Sequence, residues 1–261
     1  MHAYVISSVF SWGGLCGDCY LDSEPFSFGD FLGSVILLVV IYQLASIPRK
    51  RRENKEREQE RAWEREEAKK RHPAGILVNG YWIEERANLS DAYLSNEFMP
   101  GVNLRKAYLV DARLSGTILC GADLTGANLT CAFLHQADLT NSDMTNVSMG
   151  SAYLIEAKLT DAKLAGAYLV EAKLERADLA GADLRNADMT DAKMAGANLS
   201  NANLVGASLN NADLTGARLC FAKLNWSDLS NADLTNADLT GVDLSNADLT
   251  CATMPDGTTH D

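Results

Sequence analysis

From Leu89 to Met254 a Leu or Met stands at every fifth position without a miss, and a step of five between 89 and 254 gives 34 such centres. Two positions before each centre sits a small residue, most often Ala, as at Ala87, Ala92, Ala107, Ala112 and Ala122. The departures are Thr117, Ser142, Ser227, Val102, Val147 and Val242, with Glu97 the one charged exception. A period of five is neither the 3.6 of a helix nor the 2.0 of a strand. On a helix it would carry Leu around every face and bury nothing. If each five residues instead form one short extended side and a corner, every Leu turns toward a single axis and the Ala fills a second inward slot. The other three positions then face water. They hold Asp, Asn or Lys before the Leu, Ser or Thr after it, and then Gly, Asn or Asp. These last types suit a corner because they tolerate left-handed backbone or bond to nearby backbone groups.

Upstream the pattern changes three times. Residues 76–86 are apolar (Ile76, Leu77, Val78, Tyr81, Trp82, Ile83) but out of register, with Glu84 where a Leu would fall. The first turn of a solenoid is open at its end, so this segment is expected to be its N-terminal cap. Residues 48–75 form a charged segment in which Trp63 is the large apolar residue of 49–72. Glu53–Arg57, Glu66–Lys70 and Glu67–Arg71 are spaced i,i+4 with Glu first, the favourable order on a helix. A helical stalk or linker is expected, about 36 Å long for 24 residues, ending at Pro73 and Gly75. Phe31 to Ile47 is free of charge and apolar on all sides, with no other amphipathic helix to pack on. It is expected to be a transmembrane helix. Arg49, Lys50, Arg51 and Arg52 follow it directly and are expected at the cytoplasmic membrane surface. The predicted topology is single-pass, with the acidic tail 1–30 outside and the solenoid cytoplasmic.

Charge is distributed unevenly. The net −12 comprises four acids and no Lys or Arg in 1–48, twelve bases and nine acids in 49–86, eleven bases and twenty acids in 87–254, and Asp256 and Asp261. An acidic solenoid argues against direct nucleic-acid binding, since a phosphate backbone would be repelled. Cys16 and Cys19 form a Cys-Gly-Asp-Cys pair. It is readable as a local disulfide, a redox pair, half a metal site or two unrelated thiols; a structural zinc site needs four ligands and no second pair is near.

Segments such as Ala-Asp-Leu-Thr-Gly at 122–126, Ala-Asp-Leu-Thr-Asn at 137–141 and Ala-Asn-Leu-Ser-Asn at 197–201 resemble the A(D/N)LXX consensus of the pentapeptide-repeat family. The resemblance covers 87–256, leaving 257–261 as a C-terminal tail. It implies an all-β solenoid, a right-handed four-sided parallel β-helix with four repeats per coil. The 34 repeats then make eight and a half coils, a rod roughly 40 Å long at about 4.8 Å per coil. Cys120 and Cys220 would lie five coils apart on one face, and Cys131 and Cys251 six, beyond disulfide reach. Unpaired thiols suit a reducing compartment. An uncovered last coil would expose Leu239, Leu244, Leu249 and Met254. Some gyrase-binding members of the family imply dimerisation there, so a homodimer through the C-terminal end is expected.

With four repeats per coil, residues twenty apart stack in columns on the outer surface. Some columns alternate charge: Asp138, Lys158, Asp178; Asp143, Lys163, Asp183; Arg218 with Asp238; Lys223 with Asp243. Exposed pairs of this kind stabilise little. Phe133 and Tyr153 share a column, with Arg113 in line and His135 and Ile155 beside them; Phe221 and Trp226 occupy consecutive corners. Aromatic and Arg clusters are the usual anchors of protein interfaces, so these seven residues are the candidate protein-interaction residues. The four His are scattered, and no phosphate loop, zinc spacing or nucleophile elbow occurs. No catalytic residue, metal or cofactor is expected, and enzyme activity is not. The expected function is a membrane-anchored protein-interaction scaffold with an unidentified protein partner. The alternative is a DNA-mimic regulator of a type II topoisomerase, as the resemblance to gyrase-protecting relatives implies. The expected anchor, the absence of an insertion loop and the mixed Lys/Asp faces weigh against that alternative.

Overall fold

The computed structural model describes residues 57, 59, 63, 67, 70–72 and 74–260. The expected membrane span 31–47, the basic cluster 49–52 and the Cys16/Cys19 pair lie outside the described residues. Among the described residues no helix is long and apolar enough to cross a membrane. The chain divides into two compact units, Met1–Glu67 and Ala68–Asp261. In the first, Arg57, Gln59, Trp63 and Glu67 have helical backbone; in the second, so do Lys70 and Arg71.

The second unit opens with a hairpin of β1 (Ile76–Val78) and β2 (Tyr81–Ile83), paired antiparallel with Ile76 opposite Ile83. Asn79 and Gly80 both have positive φ, at 50° and 83°, the combination that matches a two-residue turn to the twist of its strands. Ile83 is buried in the core, and Val78 and Tyr81 pack against it. The Asn79 side-chain amide donates to the Tyr93 carbonyl at 3.3 Å and to Glu97 Oε1 at 2.8 Å, which gives the one charged residue in an Ala slot a partner. His72 stacks on Trp82 with ring centroids 4.5 Å apart, its Nδ1 2.6 Å from Glu84 Oε1.

From Asn88 to Asp233 each residue that precedes a centre forms a parallel bridge with the residue twenty positions later. Twenty residues therefore close one coil, and five make one of its four sides. The bonds slant as in a parallel ladder: Leu89 N donates to Tyr108 O at 2.7 Å, and Tyr108 N to Ala87 O at 2.9 Å. Every fifth residue from Arg86 to Cys251 has φ near +60°, whether it is Gly or not. Just past nearly every such residue the chain closes a four-residue turn, as where Ala92 N donates to Leu89 O at 3.1 Å. Positive φ at the third position is the signature of a type II turn. The consequence is that every centre from Leu89 to Leu234 points inward and is essentially inaccessible, together with nearly all the Ala of the second slot. Thr117, Ser142 and Ser227 are buried in that slot too. Their hydroxyls donate to the carbonyls of Leu94 (2.6 Å), Leu139 (2.7 Å) and Leu224 (2.6 Å), so none of the three is left stranded.

The C-terminal end is different. Leu239, Leu244, Leu249 and Met254 are only partly buried. Among the described residues the backbone N–H groups of Leu239, Gly241, Leu244, Asn246 and Leu249 have no backbone acceptor. The chain after Met254 folds back over one side of this coil: Met254 N donates to Thr258 O, Cys251 N to His260 O and His260 N to Ala252 O. Thr259 pairs antiparallel with Thr253, and among the described residues the other three sides have no strand partner on that end.

Candidate protein-interaction interface

The local reason for the outer surface lies in the residue before each centre. Its carboxylate or amide accepts from the backbone N–H two positions on, as Asp123 Oδ1 does from Thr125 N at 3.1 Å and from Thr125 Oγ1 at 2.6 Å. The same pair recurs at Asp143/Thr145, Asp188/Thr190, Asp213/Thr215 and Asp248/Thr250. Asp thus has a structural role at this position, clamping the side to its corner. Where an aromatic or cation replaces it, that clamp is absent and the side chain is free for other contacts.

Such replacements line up on one face. Tyr93, Arg113, Phe133, Tyr153, Lys173 and Lys193 are bridged in sequence, one per coil. The Phe133 and Tyr153 rings stack with centroids 4.9 Å apart and planes 10° from parallel. Lys173 Nζ lies 4.0 Å from the Tyr153 ring centroid, and the Arg113 guanidinium lies 4.6 Å from that of Tyr93. The ladder therefore reads aromatic, cation, aromatic, aromatic, cation, cation. Phe133 is 40% exposed and Tyr93 59%. The pairing of Arg113 with Tyr93, rather than a cation packed on Phe133, was not anticipated. Nor was the extension through Lys173 and Lys193, although the same step of twenty that aligns Phe133 with Tyr153 marks all three.

His135 and Ile155 sit one column aside, where their carbonyls accept from Gly116 N and Gln136 N. Beyond them Glu156 accepts from Gln136 Nε2 at 2.9 Å and lies 3.6 Å from Arg176; the Gln136 bond foremost holds its carboxyl below the usual range. Phe221 and Trp226 are not part of this face. They flank the opposite side, 62% and 64% exposed, both in left-handed backbone that bulky residues seldom adopt. The Phe221 ring covers Gly241 so closely that a Cβ there would meet it at 2.6 Å. The membrane-surface candidates Arg49, Lys50, Arg51 and Arg52 lie outside the described residues.

The charge columns resolve unevenly. Lys163 Nζ reaches Asp143 at 3.2 Å, but Asp178 accepts from Asn198 and Thr160 instead of pairing with Lys158. Asp238 accepts from Cys220 Sγ at 2.9 Å and from Thr240 Oγ1 at 2.7 Å. The Cys220 bond, then those from Thr240, hold its pKa down to about 2, while the same bond pushes the Cys220 thiol up. Cys120, Cys131, Cys220 and Cys251 are free thiols. Among the described residues no group of His, Cys, Asp and Glu is arranged to hold a metal ion.

The description "Pentapeptide repeats" matches the chain in eight copies, over residues 85–119, 107–146, 152–191, 192–231 and 227–256. The chain belongs to the pentapeptide-repeat family. Its solenoid is accordingly a right-handed β-helix. No curated protein matches the chain. Solved structures to which this pentapeptide-repeat protein is similar include one from the Arabidopsis thaliana thylakoid lumen, at 31% identity over 40% of this chain and 72% of that one, with a TM-score of 0.37. Another is HetL, a pentapeptide repeat protein involved in heterocyst differentiation regulation in the cyanobacterium Nostoc, at 33% identity over 67% and 92%, TM-score 0.27. A third is QnrB1, a plasmid-mediated fluoroquinolone resistance protein, at 19% identity over 59% and 84%, TM-score 0.49.

Proposed function

We propose that this pentapeptide-repeat protein is a membrane-anchored, non-enzymatic scaffold whose rod holds a protein partner. The observation that carries the reading is the exposed ladder from Tyr93 to Lys193, where aromatics and cations interrupt the Asp/Thr clamps of the neighbouring columns. Stacked rings flanked by cations present large, rigid contact area at low entropic cost, the usual make-up of an interface anchor. In this reading residues 31–47 cross the bilayer, Arg49, Lys50, Arg51 and Arg52 rest on its cytoplasmic surface, and the solenoid is cytoplasmic. Two rods meet end to end through the open C-terminal coil. The test is a pull-down from membranes with the full chain. Phe133→Ala with Tyr153→Ala should abolish partner capture while leaving the circular dichroism spectrum unchanged; undiminished capture rejects the face. A gyrase supercoiling assay with the same protein separates the DNA-mimic alternative, which requires inhibition or protection and which unchanged supercoiling would dismiss.

A further inference from the structure

We propose that the ladder receives an extended acidic segment of the partner, with the side-chain pattern acid-x-aromatic-x-acid. The proposal rests on the scaffold reading and adds the chemistry of what is held. Its first support is charge. Among the described residues Arg105, Lys163, Arg176 and Arg185 each lie within 4 Å of a carboxylate, whereas no carboxylate pairs with Arg113, Lys173 or Lys193; Lys158 and Lys223 are unpaired too, but each is bridged to an Asp in its own column. The column holds no acid between Tyr93 and Lys193; Asp213 is the first. On a solenoid with nearly twice as many acids as bases, this column is where an anionic group meets cations rather than carboxylates. A guanidinium or ammonium resting on a ring face still directs N–H groups outward, so the contacts with Tyr93 and Tyr153 fix the cations without consuming them.

The second support is spacing. Arg113 and Lys173 are three coils apart, about 14 Å at about 4.8 Å per coil. In an extended chain residues i and i+4 project on the same side and lie about 14 Å apart. Acids at those positions reach the two cations, and the side chain at i+2 falls on the stacked Phe133 and Tyr153 rings. The backbone of the face offers nothing further, because Arg113, Phe133 and Tyr153 already donate to Ala92, Ala112 and Ala132 of the preceding coil. Side-chain charge and spacing alone therefore select the ligand, and strand addition is not its mode. A nucleic-acid backbone would carry phosphates past the acidic flanks of the rod and is disfavoured.

The test uses the full chain and a fluorescein-labelled peptide with a Glu-Ser-Phe-Ser-Glu centre, followed by fluorescence anisotropy. Saturable binding should weaken at least tenfold with Arg113→Glu or Lys173→Glu, and with a peptide whose acids are only two residues apart. Replacing one peptide Glu by Lys should restore binding to the Lys173→Glu protein, a rescue that a misfolded variant could not give. Absence of binding, binding indifferent to both reversals, or no rescue overturns the proposal. A photo-reactive phenylalanine at position 153 in native membranes separates this failure from that of the scaffold reading. A cross-linked protein that excess acidic peptide does not displace leaves the interface standing and removes the acidic ligand. No cross-link and no peptide binding remove both.

Discussion

At the scale of single residues, the Asp before each centre is held by its own coil. For Asp123 and Asp143 burial works against ionisation, but hydrogen bonds from Thr125 and Arg105, or from Thr145 and Lys163, outweigh it and lower the pKa. For Asp233, Asp243 and Asp248 the side-chain and backbone bonds of Thr235, Ser245 and Thr250 dominate, with the same direction. A carboxyl whose pKa is depressed on folding stabilises the native state above its unfolded value, and that contribution is lost as pH falls through the folded value. For Asp238 this window runs from 3.8 down to about 2. The melting temperature should therefore stay level from neutral pH to about 5 and fall below about 4, followed by circular dichroism. In the Cys220→Ala, Thr240→Val protein the Asp238 carboxyl should titrate closer to 3.8 by carbon-detected NMR. An unmoved titration would mean that these two donors do not set it.

At the scale of the element, the unit is the coil, and each coil touches only its neighbours. Leu174 is 1% exposed near the middle of the stack. Leu174→Ala should cost about 2–5 kcal/mol, the range for a truncated core leucine. Leu174→Asp adds a buried charge with no partner and should break the stack into separately melting parts. Thermal and urea denaturation followed at Trp82 and Trp226 fluorescence, at the two ends, would show split transitions. A single transition at the wild-type midpoint would contradict the inward placement of the centre. The inward Leu, the Ala beside it and the left-handed corner were legible because one period encodes them; the Asp–Thr clamp was not, because the period marks that position only as facing water. The surface contacts were only half legible. A step of twenty aligns Arg113, Phe133 and Tyr153, yet rotamers decide that Arg113 lies on Tyr93, that Asp178 bonds Asn198 and not Lys158, and that Cys220 reaches Asp238. Alignment in a column brings side chains near each other without choosing among several acceptors at similar distance.

At the scale of the solenoid unit, the described residues cover the two ends unequally. Before Asn88 there is a hairpin that contributes Ile83, Val78 and Tyr81 to the core. Past Met254, Thr258, Thr259 and His260 pair with one side of the last coil. The remaining three sides present Leu239, Leu244 and Leu249 half-buried, beside N–H groups that nothing else in the described chain accepts. An exposed edge of this kind is a template for another chain. A second copy turned end to end would bury the leucines and offer acceptors to those donors at the same time. Hydrogen exchange of the full chain distinguishes the two states. In a monomer the amides of Leu239, Gly241, Leu244, Asn246 and Leu249 exchange fast at every concentration, while those of Leu139 or Leu159 in the middle are protected. If the rods pair, the end amides should gain protection as protein concentration rises through the micromolar range, and Leu244→Glu should abolish the gain without touching the middle. Fast exchange at the end across that whole range would leave the protein a monomer with one frayed coil.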